Sequence, residues 1–473
     1  MTVIIGLEVH CQLNTKTKLF CGCSTDYRED GPNTHVCPIC LGLPGSLPRI
    51  NKKAVEFALL VAQALNCEIP EESEFARKNY FYPDLPKGFQ ITQYDRPLAV
   101  RGTVEIEGDD GVERNIRITR VHLEEDPGRL VHVGSPDHPR YSLVDYNRSG
   151  VPLIEIVTEP DLRSPKEARR FLNILRATLE YLSVFDGERE GSLRVDANIS
   201  LAGNERAEVK NISSYKGVEK ALTYEITRQR SLVRRGQRIE RETRHFQEAR
   251  GVTTSARSKE MEHDYRYFPE PDLRPMRVRE WTRTLALPEL PAARRARCIR
   301  QYGISLDHAR TLTGDLRLAD FYEKVAMEDP LLAATWVADT LQGELNYRDL
   351  GLGSFSSDHF IELLQMLRKK EITDRAGIEV LRVMLDTCVR AEAVERPKAI
   401  VERLGLGKAA GSQFAQILQE VVQEQPQAVQ DYRSGKPAAL NFLVGQAMKK
   451  TRGKADPKEL TLLLKEIIGQ EGP

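Results

Sequence analysis

Long apolar runs and an excess of charge are both missing from this chain of 473 residues. No window offers 18 uninterrupted apolar residues, and the Met-Thr-Val-Ile-Ile start lacks the basic segment of a signal peptide. We therefore expect a cytoplasmic protein without a membrane span. Lysine plus arginine (69) balance aspartate plus glutamate (69), which argues against a protein that holds nucleic acid by diffuse charge alone.

Two common catalytic motifs are also absent. The sequence contains no G-x-x-x-x-G-K-[ST] phosphate loop and no G-x-S-x-G nucleophile elbow. The segment GLGKAA at 405–410 fits a relaxed dinucleotide-binding pattern, but no strand signal precedes it, so it predicts a loop. Any nucleotide site must therefore be built in another way.

Four of the eight cysteines form two close pairs. Cys21 and Cys23 are separated by thirteen residues from Cys37 and Cys40. Because cytosolic thiols stay reduced, we expect a closed four-cysteine zinc site here, with a C-x-x-C redox pair or four plain thiols as alternatives. A closed site has no open position for a substrate, so the zinc would brace a loop and not catalyse.

The hydrophobic pattern predicts an α+β protein of more than one domain. Helical apolar repeats begin at the caps Asn51 and Ser164, whereas residues 80–160 alternate short apolar runs with glycine and proline. Residues after 290 carry helical patterns with few strand signals. We predict a mixed or antiparallel-sheet body over 1–290, a helical domain over 291–400 and a helical tail over 401–473.

Carboxylates and an imidazole recur in the predicted sheet. Glu8 and His10 lie two residues apart in an apolar strand, so both side chains point to one face. Glu124 and Glu125 follow in HLEEDPGR, and Glu155 in PLIEIVTE. Such donors, with arginines nearby, suit Mg²⁺ carrying a nucleoside triphosphate, although solvated carboxylates at strand ends are the alternative.

A predicted hairpin carries a second polar row. Residues 193–201 alternate apolar side chains with Arg194, Asp196 and Asn198, and Glu208 and Lys210 continue the row on the next strand. These side chains suit phosphate, metal or ribose, but an ordinary solvent-facing strand would also be polar. The pattern alone leaves both interpretations open.

Eight motifs in one order identify a family resemblance. They are GLEVHCQL, KNYFYPDLPKGFQITQYD, HLEEDPGR, DYNRSGVPLIEIVTEPD, RVDANIS, EVKNISS, TRHFQEARGVTTSARSKE and DYRYFPEPDL. With them the chain resembles the GatB/GatE family, the B subunits of aspartyl/glutamyl-tRNA amidotransferases. The tail motif NFLVGQAMKKTRGKADP resembles a YqeY-type domain. No synthetase-like insertion is present, so the resemblance is to the GatB branch.

The resemblance implies ATP-dependent amidation of Glu-tRNA(Gln), Asp-tRNA(Asn) or both. ATP would phosphorylate the side-chain carboxylate, and ammonia would then displace the phosphate. The glutaminase subunit GatA would supply ammonia and the small subunit GatC would wrap the interface, because the chain has no glutaminase signature. A non-catalytic zinc-containing tRNA-binding scaffold and a synthetase-like adenylating enzyme are the alternatives.

The resemblance also implies roles for individual residues. It assigns magnesium to His10, Glu125 and Glu155, with Glu8 and Glu124 close by, and leaves the division of labour among these five open. Nucleotide or phosphate contacts fall on Arg194, Asp196, Asn198, Lys210 and Asn211.

Further positions follow from the same resemblance. The ammonia path would be lined by Lys78, Tyr82, Asp84 and Lys87. Zinc would bind Cys21, Cys23, Cys37 and Cys40. The basic stretches 294–300 and 449–454 are expected to contact tRNA phosphates, with a solvated helix face as the alternative.

Overall fold

The chain folds into two units, Met1–Ala293 and Arg294–Pro473. The computed structural model describes residues 2–135, 138–187, 189, 191–212, 214–256, 265–353, 355–390, 394–407, 411–450 and 457–470. Within these residues, no helix has both the length and the apolar character that crossing a membrane requires.

The first unit contains thirteen described strands and four helices. The strands are β1 (Val3–Gln12), β2 (Ala76–Asn79), β3 (Phe89–Thr92), β4 (Ala99–Glu107), β5 (Glu113–Glu125), β6 (Arg129–Ser135), β7 (His138–Asp145), β8 (Pro152–Thr158), β9 (Leu193–Leu201), β10 (Ala207–Ile212), β11 (Glu242–Gln247), β12 (Val252–Ser255) and β13 (Phe268–Pro269). The helices are α1 (Lys52–Ala64), α2 (Pro165–Tyr181), α3 (Tyr215–Arg234) and α4 (Val278–Thr282).

Eight of these strands form the central sheet, in the order β12-β11-β10-β9-β1-β8-β5-β4. Neighbouring described strands run antiparallel, except for the parallel pair β10 and β11. Two smaller sheets have the orders β13-β2-β3 and β6-β7. The mixed sheet that we predicted for this part of the chain is therefore present.

One face of the central sheet is apolar because its strands alternate. In β9, apolar side chains are buried and the polar ones between them are partly exposed. Helices α1, α2 and α3 pack on the apolar face and form one core with it. Helix α2 begins where predicted, since the Ser164 hydroxyl accepts a hydrogen bond from the Glu167 backbone N–H at 3.1 Å. The helices leave the other face of the sheet free to carry polar groups.

From residue 291 onward the described chain is helical. The helices are α5 (Pro291–Tyr302), α6 (Leu306–Thr313), α7 (Leu316–Val325), α8 (Pro330–Thr335), α9 (Gln342–Arg348), α10 (Ser357–Arg368), α11 (Asp374–Val389), α12 (Pro397–Leu404), α13 (Gly411–Glu424), α14 (Pro426–Arg433), α15 (Pro437–Lys450) and α16 (Pro457–Gln470). A π-helical segment, Trp336–Leu341, joins α8 to α9.

Two separate apolar clusters hold these helices together. One extends from Cys298 to Leu406 and the other from Leu418 to Ile468. A sheet body followed by helices confirms the predicted α+β class. The boundaries 291–400 and 401–473 stay a prediction.

The core beneath the sheet should depend on Phe171 of α2, which is fully buried. We expect Phe171→Ala to lower the free energy of unfolding of the first unit by about 3–5 kcal/mol, through lost burial and a residual cavity. Urea denaturation of the full chain in a Trp336→Phe background would measure this, because Trp281 then reports on the first unit. The exposed Asn173 provides the control Asn173→Ala on the same helix. Equal midpoints for the two variants would contradict this account of the core.

Candidate functional site

A row of titratable side chains crosses the polar face of the central sheet. His10 of β1 pairs in register with Glu155 of β8 and with Arg194 of β9, and His122 of β5 also pairs with Glu155. Directly paired residues of antiparallel strands point to the same face. Four neighbouring strands therefore bring these side chains together.

Two histidines and two carboxylates meet at the centre of the row. His10 Nε2 lies 3.4 Å from Glu155 Oε2 and 3.8 Å from Glu124 Oε1. His122 Nε2 lies 2.9 Å from Glu155 Oε2. We call His10, His122, Glu124 and Glu155 the histidine–carboxylate cluster. Ligand atoms of His10, Glu124 and Glu155 lie within 4.8 Å of one another, so these three could hold one cation.

The charges of this cluster are strongly coupled. Burial alone would lower the pKa of His10, but the Glu155 and Glu124 carboxylates raise that pKa to about 9. The same balance raises the pKa of His122 to about 9. Burial alone would raise the pKa of Glu155, yet His122 and His10 hold that pKa well below its usual range. The buried Glu155 carboxylate thus remains ionised because two imidazolium groups flank it.

A second carboxylate group lies further along the same face. Glu8, Asp196 and Glu208 have ligand atoms within 4.8 Å of one another. Lys210 Nζ lies 3.2 Å from Asp196 Oδ2 and 3.6 Å from Glu208 Oε1. The Asn198 amide donates to Glu8 Oε1 at 3.0 Å. The hairpin side chains thus continue the row, although the side chain of Asn211 lies outside the described part of the chain.

Adjacent glutamates of β5 point to opposite faces. The register of β5 against β8 shifts between Ile118 and Arg120, which turns Glu124 toward the polar row. Glu125 instead forms an ion pair with Lys87 and accepts a hydrogen bond from the Ile91 backbone N–H at 2.8 Å. The structure therefore brings Glu124, and not Glu125, beside His10 and Glu155.

The Glu125 carboxylate lines a cavity of about 210 Å³. The walls of this cavity include Lys87, Phe89, Cys21 and Cys40. It therefore connects the expected ammonia-path residue Lys87 with the cysteine pairs.

Arg194 makes a structural contact within the polar row. Its Nη2 donates to Asp126 Oδ1 at 2.6 Å, and Gln12 Nε2 donates to the other oxygen at 2.6 Å. Burial alone would raise the pKa of Asp126, but Arg194 and Arg148 lower it. The guanidinium of Arg194 is thus fixed by a buried carboxylate while remaining partly exposed on the polar face.

The four predicted cysteines come together. Their Sγ atoms lie within 4.8 Å of one another, which fits a tetrahedral thiolate site. A hydrogen bond from the Cys21 thiol, with the Cys37 backbone N–H and the Lys18 ammonium, lowers the pKa of Cys40 to about 4. The buried Lys18 also donates to the His35 carbonyl at 2.7 Å. Cys40 thus already favours the thiolate that a metal would bind, whereas its hydrogen bond with Cys21 raises the pKa of Cys21 and burial raises that of Cys23 to about 11.

The other residues expected to line the ammonia path or to contact tRNA have neighbours outside the groups described above. Lys78 Nζ lies 4.7 Å from the centroid of the Tyr265 ring, Tyr82 is exposed, and the Asp84 carbonyl accepts a hydrogen bond from the Gly128 N–H at 2.8 Å.

In the basic stretch 294–300, Arg294 and Arg297 form ion pairs with Glu323. In 449–454, Lys450 pairs with Glu424, and residues 451–454 lie outside the described part. Both basic stretches are therefore partly neutralised by acidic neighbours.

Comparison with known proteins identifies the family of this chain. A model of the GatB/GatE catalytic domain matches residues 3–283, and a GatB domain model matches residues 320–468. The chain belongs to the GatB/GatE family. This confirms the resemblance that the eight motifs suggested.

Relatives match the chain over nearly its full length. The B subunit of the aspartyl/glutamyl-tRNA(Asn/Gln) amidotransferase of Methanoregula boonei is 67% identical over 476 residues, covering 99% of each chain. That of Methanospirillum hungatei is 66% identical over 471 residues, covering 100% of this chain and 99% of the relative. That of Haloquadratum walsbyi is 52% identical over 488 residues, covering 99% and 97%.

His122 is a member of the polar row that the sequence analysis did not select. His122 could have been found, because His122-x-Glu124 has the same two-residue spacing as Glu8-x-His10. In this member of the GatB/GatE family the row thus contains two imidazoles.

The buried histidines should make stability fall as pH rises in metal-free protein. Folding raises both pKa values from 6.5 to about 9, so the stabilisation is complete below pH 6.5 and is lost as pH rises toward about 9. We expect the urea midpoint to fall across this window in the presence of a chelator, and to fall less in His122→Gln. The exposed His132 supplies the control His132→Gln. A flat profile for the unsubstituted chain would show that folding does not raise these two pKa values.

Proposed function

We propose that this chain is the carboxylate-activating subunit of a tRNA-dependent amidotransferase. It phosphorylates the side chain of Glu-tRNA(Gln), Asp-tRNA(Asn) or both with ATP, and the acyl phosphate is converted to the amide by ammonia. The observation that carries this proposal is the histidine–carboxylate cluster on the polar face of the sheet. The relatives named as the B chains of amidotransferases support the same activity.

The chemistry requires cationic groups at this position. Transfer of a phosphoryl group to a carboxylate brings two anions together, and a carboxylate becomes reactive toward ammonia only when it acquires a leaving group. We assign Mg²⁺ to His10, Glu124 and Glu155, because two carboxylates offer the hard oxygen ligands that Mg²⁺ prefers and the imidazole lies within reach of the same ion. When bound, this ion neutralises phosphate charge.

The remaining side chains of the row orient the anions. Lys210 is partly exposed, and although burial disfavours its charge, Asp196 and Glu208 raise its pKa and keep it cationic. Arg194 is held in position by Asp126. These two cations and the Asn198 amide are our candidates for contacts to ATP phosphates, together with Asn211 from its place on β10.

Ammonia would reach the acyl phosphate from a partner subunit. We assign its source to a glutaminase subunit, GatA, and the closing of the interface to GatC. Lys87 and Glu125 line the cavity that is our candidate for the last part of the path. Glu125 is adjacent in sequence to Glu124 of the polar row, and its side chain points away from that row into the cavity. Lys78, Tyr82 and Asp84 would line an earlier part.

Zinc at the four cysteines would be structural. Four thiolates leave no ligand position for substrate. Cys40, one of the four cysteines, lines the cavity together with Lys18 and Gly150, so zinc would hold this part of the cavity wall in place. We place the protein in the cytoplasm, where misacylated tRNA is made, and assign tRNA binding to the second unit.

A test of the proposal compares adjacent glutamates. We expect Glu124→Gln, in complex with GatA and GatC, to lower tRNA-dependent ADP formation by roughly 100-fold, because a ligand of the cation that stabilises transition-state charge is lost. Glu125→Gln should preserve ADP formation and lower the yield of amide per ADP with glutamine as nitrogen donor. ADP and amidated tRNA would be quantified in the same reaction.

The exposed Glu105 on β4 supplies the control Glu105→Gln for this comparison. If Glu125→Gln abolishes ADP formation and Glu124→Gln does not, the metal assignment must pass to Glu125. If the unsubstituted complex forms no ADP, the non-catalytic scaffold is the better explanation. Pyrophosphate in place of ADP would indicate an adenylating enzyme.

The zinc assignment has a separate test. We expect the purified chain to contain zinc in equimolar amount, and Cys37→Ser to lose this zinc and to unfold at lower temperature, because a ligand and a loop brace are removed. Elemental analysis and thermal denaturation would measure the two effects. Cys388→Ser, at a cysteine outside the cluster, is the control. Zinc in Cys37→Ser at the unsubstituted level would refute the assignment.

A further inference from the structure

Four tyrosines form a continuous group of rings in the first unit. The rings of Tyr94 and Tyr267 stack with centroids 4.1 Å apart and planes 3° apart. Tyr265 meets Tyr267 edge-on at 6.1 Å and Tyr80 edge-on at 5.9 Å. We call Tyr80, Tyr94, Tyr265 and Tyr267 the tyrosine wall. All four remain partly exposed, so the wall is not a closed core.

The tyrosine wall borders the histidine–carboxylate cluster. Thr92, two residues before Tyr94, donates to Glu124 Oε2 at 3.2 Å. The Tyr80 hydroxyl donates to Gln90 Oε1 at 3.1 Å, and the Gln90 amide donates to the Glu125 carbonyl at 2.8 Å. Burial raises the pKa of Tyr267, and the Glu124 and Glu155 carboxylates raise it further, which places that ring near both.

A cation lies on the same group of rings. Lys78 Nζ is 4.7 Å from the centroid of Tyr265 and 5.6 Å from that of Tyr80. Aromatic faces beside a basic group are the surface on which proteins stack single-stranded bases, since the rings hold the base and the cation attracts the backbone. The wall therefore has the composition of a base-binding surface next to a phosphoryl-transfer site.

The structure of the substrate limits the distance between its terminal adenosine and its side-chain carboxylate. This step rests on the proposed function. In an aminoacyl-tRNA the amino acid is an ester of the 3′-terminal adenosine, and only a few bonds separate that ester from the side-chain carboxylate. A carboxylate brought to the cation site assigned to Glu124 and Glu155 therefore keeps the terminal adenosine close by. In-line phosphoryl transfer places the ADP leaving group on the side opposite the attacking carboxylate. The candidate phosphate contacts Arg194 and Lys210 lie on β9 and β10, whereas the tyrosine wall adjoins Glu124 of β5, on the other side of β1 and β8.

We propose that the tyrosine wall stacks an adenine base, and that this base belongs to the 3′-terminal adenosine of the misacylated tRNA. Lys78 then faces the terminal phosphate of the same strand. The wall thereby fixes the position of the ester, and the short amino-acid side chain extends from it to the phosphoryl-transfer site.

The experiment measures stacking and affinity in the complete complex with GatA and GatC. Misacylated tRNA carries fluorescent 2-aminopurine in place of the terminal adenine, and ammonium serves as nitrogen donor. We expect binding to quench the fluorescence, and Tyr267→Leu to lose the quench and to raise KM for tRNA about 10-fold, the effect of losing one stacked base. Tyr267→Phe should restore both, and KM for ATP should not change.

Tyr224 of α3 is partly exposed on the helical side and supplies the control Tyr224→Leu. A rise in KM for ATP instead of tRNA would overturn the proposal in favour of the ATP adenine. Unchanged KM values with a lowered melting temperature would show that the wall is only packing. Should Tyr267→Leu not fold, absence of the quench in the unsubstituted complex overturns the proposal.

Failure of the proposed function has a different signature. If the unsubstituted complex forms no ADP with any misacylated tRNA, the carboxylate-activating reaction itself is refuted. If ADP forms and depends on Glu124 but not on Tyr267, only the tyrosine-wall proposal fails.

Discussion

The ionised Glu155 carboxylate at the centre of the sheet is the interaction on which the rest of the site depends. An unpaired buried carboxylate would cost several kcal/mol, so its cationic neighbours are a structural requirement. His10 and His122 meet this requirement from the two adjacent strands. Strands β1, β8 and β5 must therefore keep one register, because a slip of one residue would move the imidazoles to the apolar face.

That register is fixed by the opposite face of the sheet. Helices α1, α2 and α3 bury the apolar side chains of the same strands, and this burial supplies the stability that a charged row cannot. The polar row thus stands on strands and not on loops, which favours a constant geometry. Groups at the edge of the row, such as the tyrosine wall and the four cysteines, lie on connections between elements, where the chain can differ without disturbing the sheet.

The sequence predicted the class of the fold and most residues of the polar row. It did not predict which of these residues lie next to one another. Two-residue spacing correctly related Glu8 to His10, and residues 193–201 do form the expected alternating strand. If the alternation of β5 continued unbroken from the buried Ile118, the side chain of Glu124 would point to the apolar face. The shift between Ile118 and Arg120 reverses this assignment, and it depends on pairing with β8, more than thirty residues away. A local pattern contains no information about such long-range pairing.

Because consecutive side chains of a strand point to opposite faces, the neighbouring residues Glu124 and Glu125 of β5 lie in two different environments. Glu124 faces the polar row, whereas Glu125 faces the cavity with Lys87. In the proposed reaction the first residue serves activation of the carboxylate and the second serves the arrival of ammonia. The strand that carries both residues is buried and is held by its pairing with β8, so the two positions keep a fixed distance from each other.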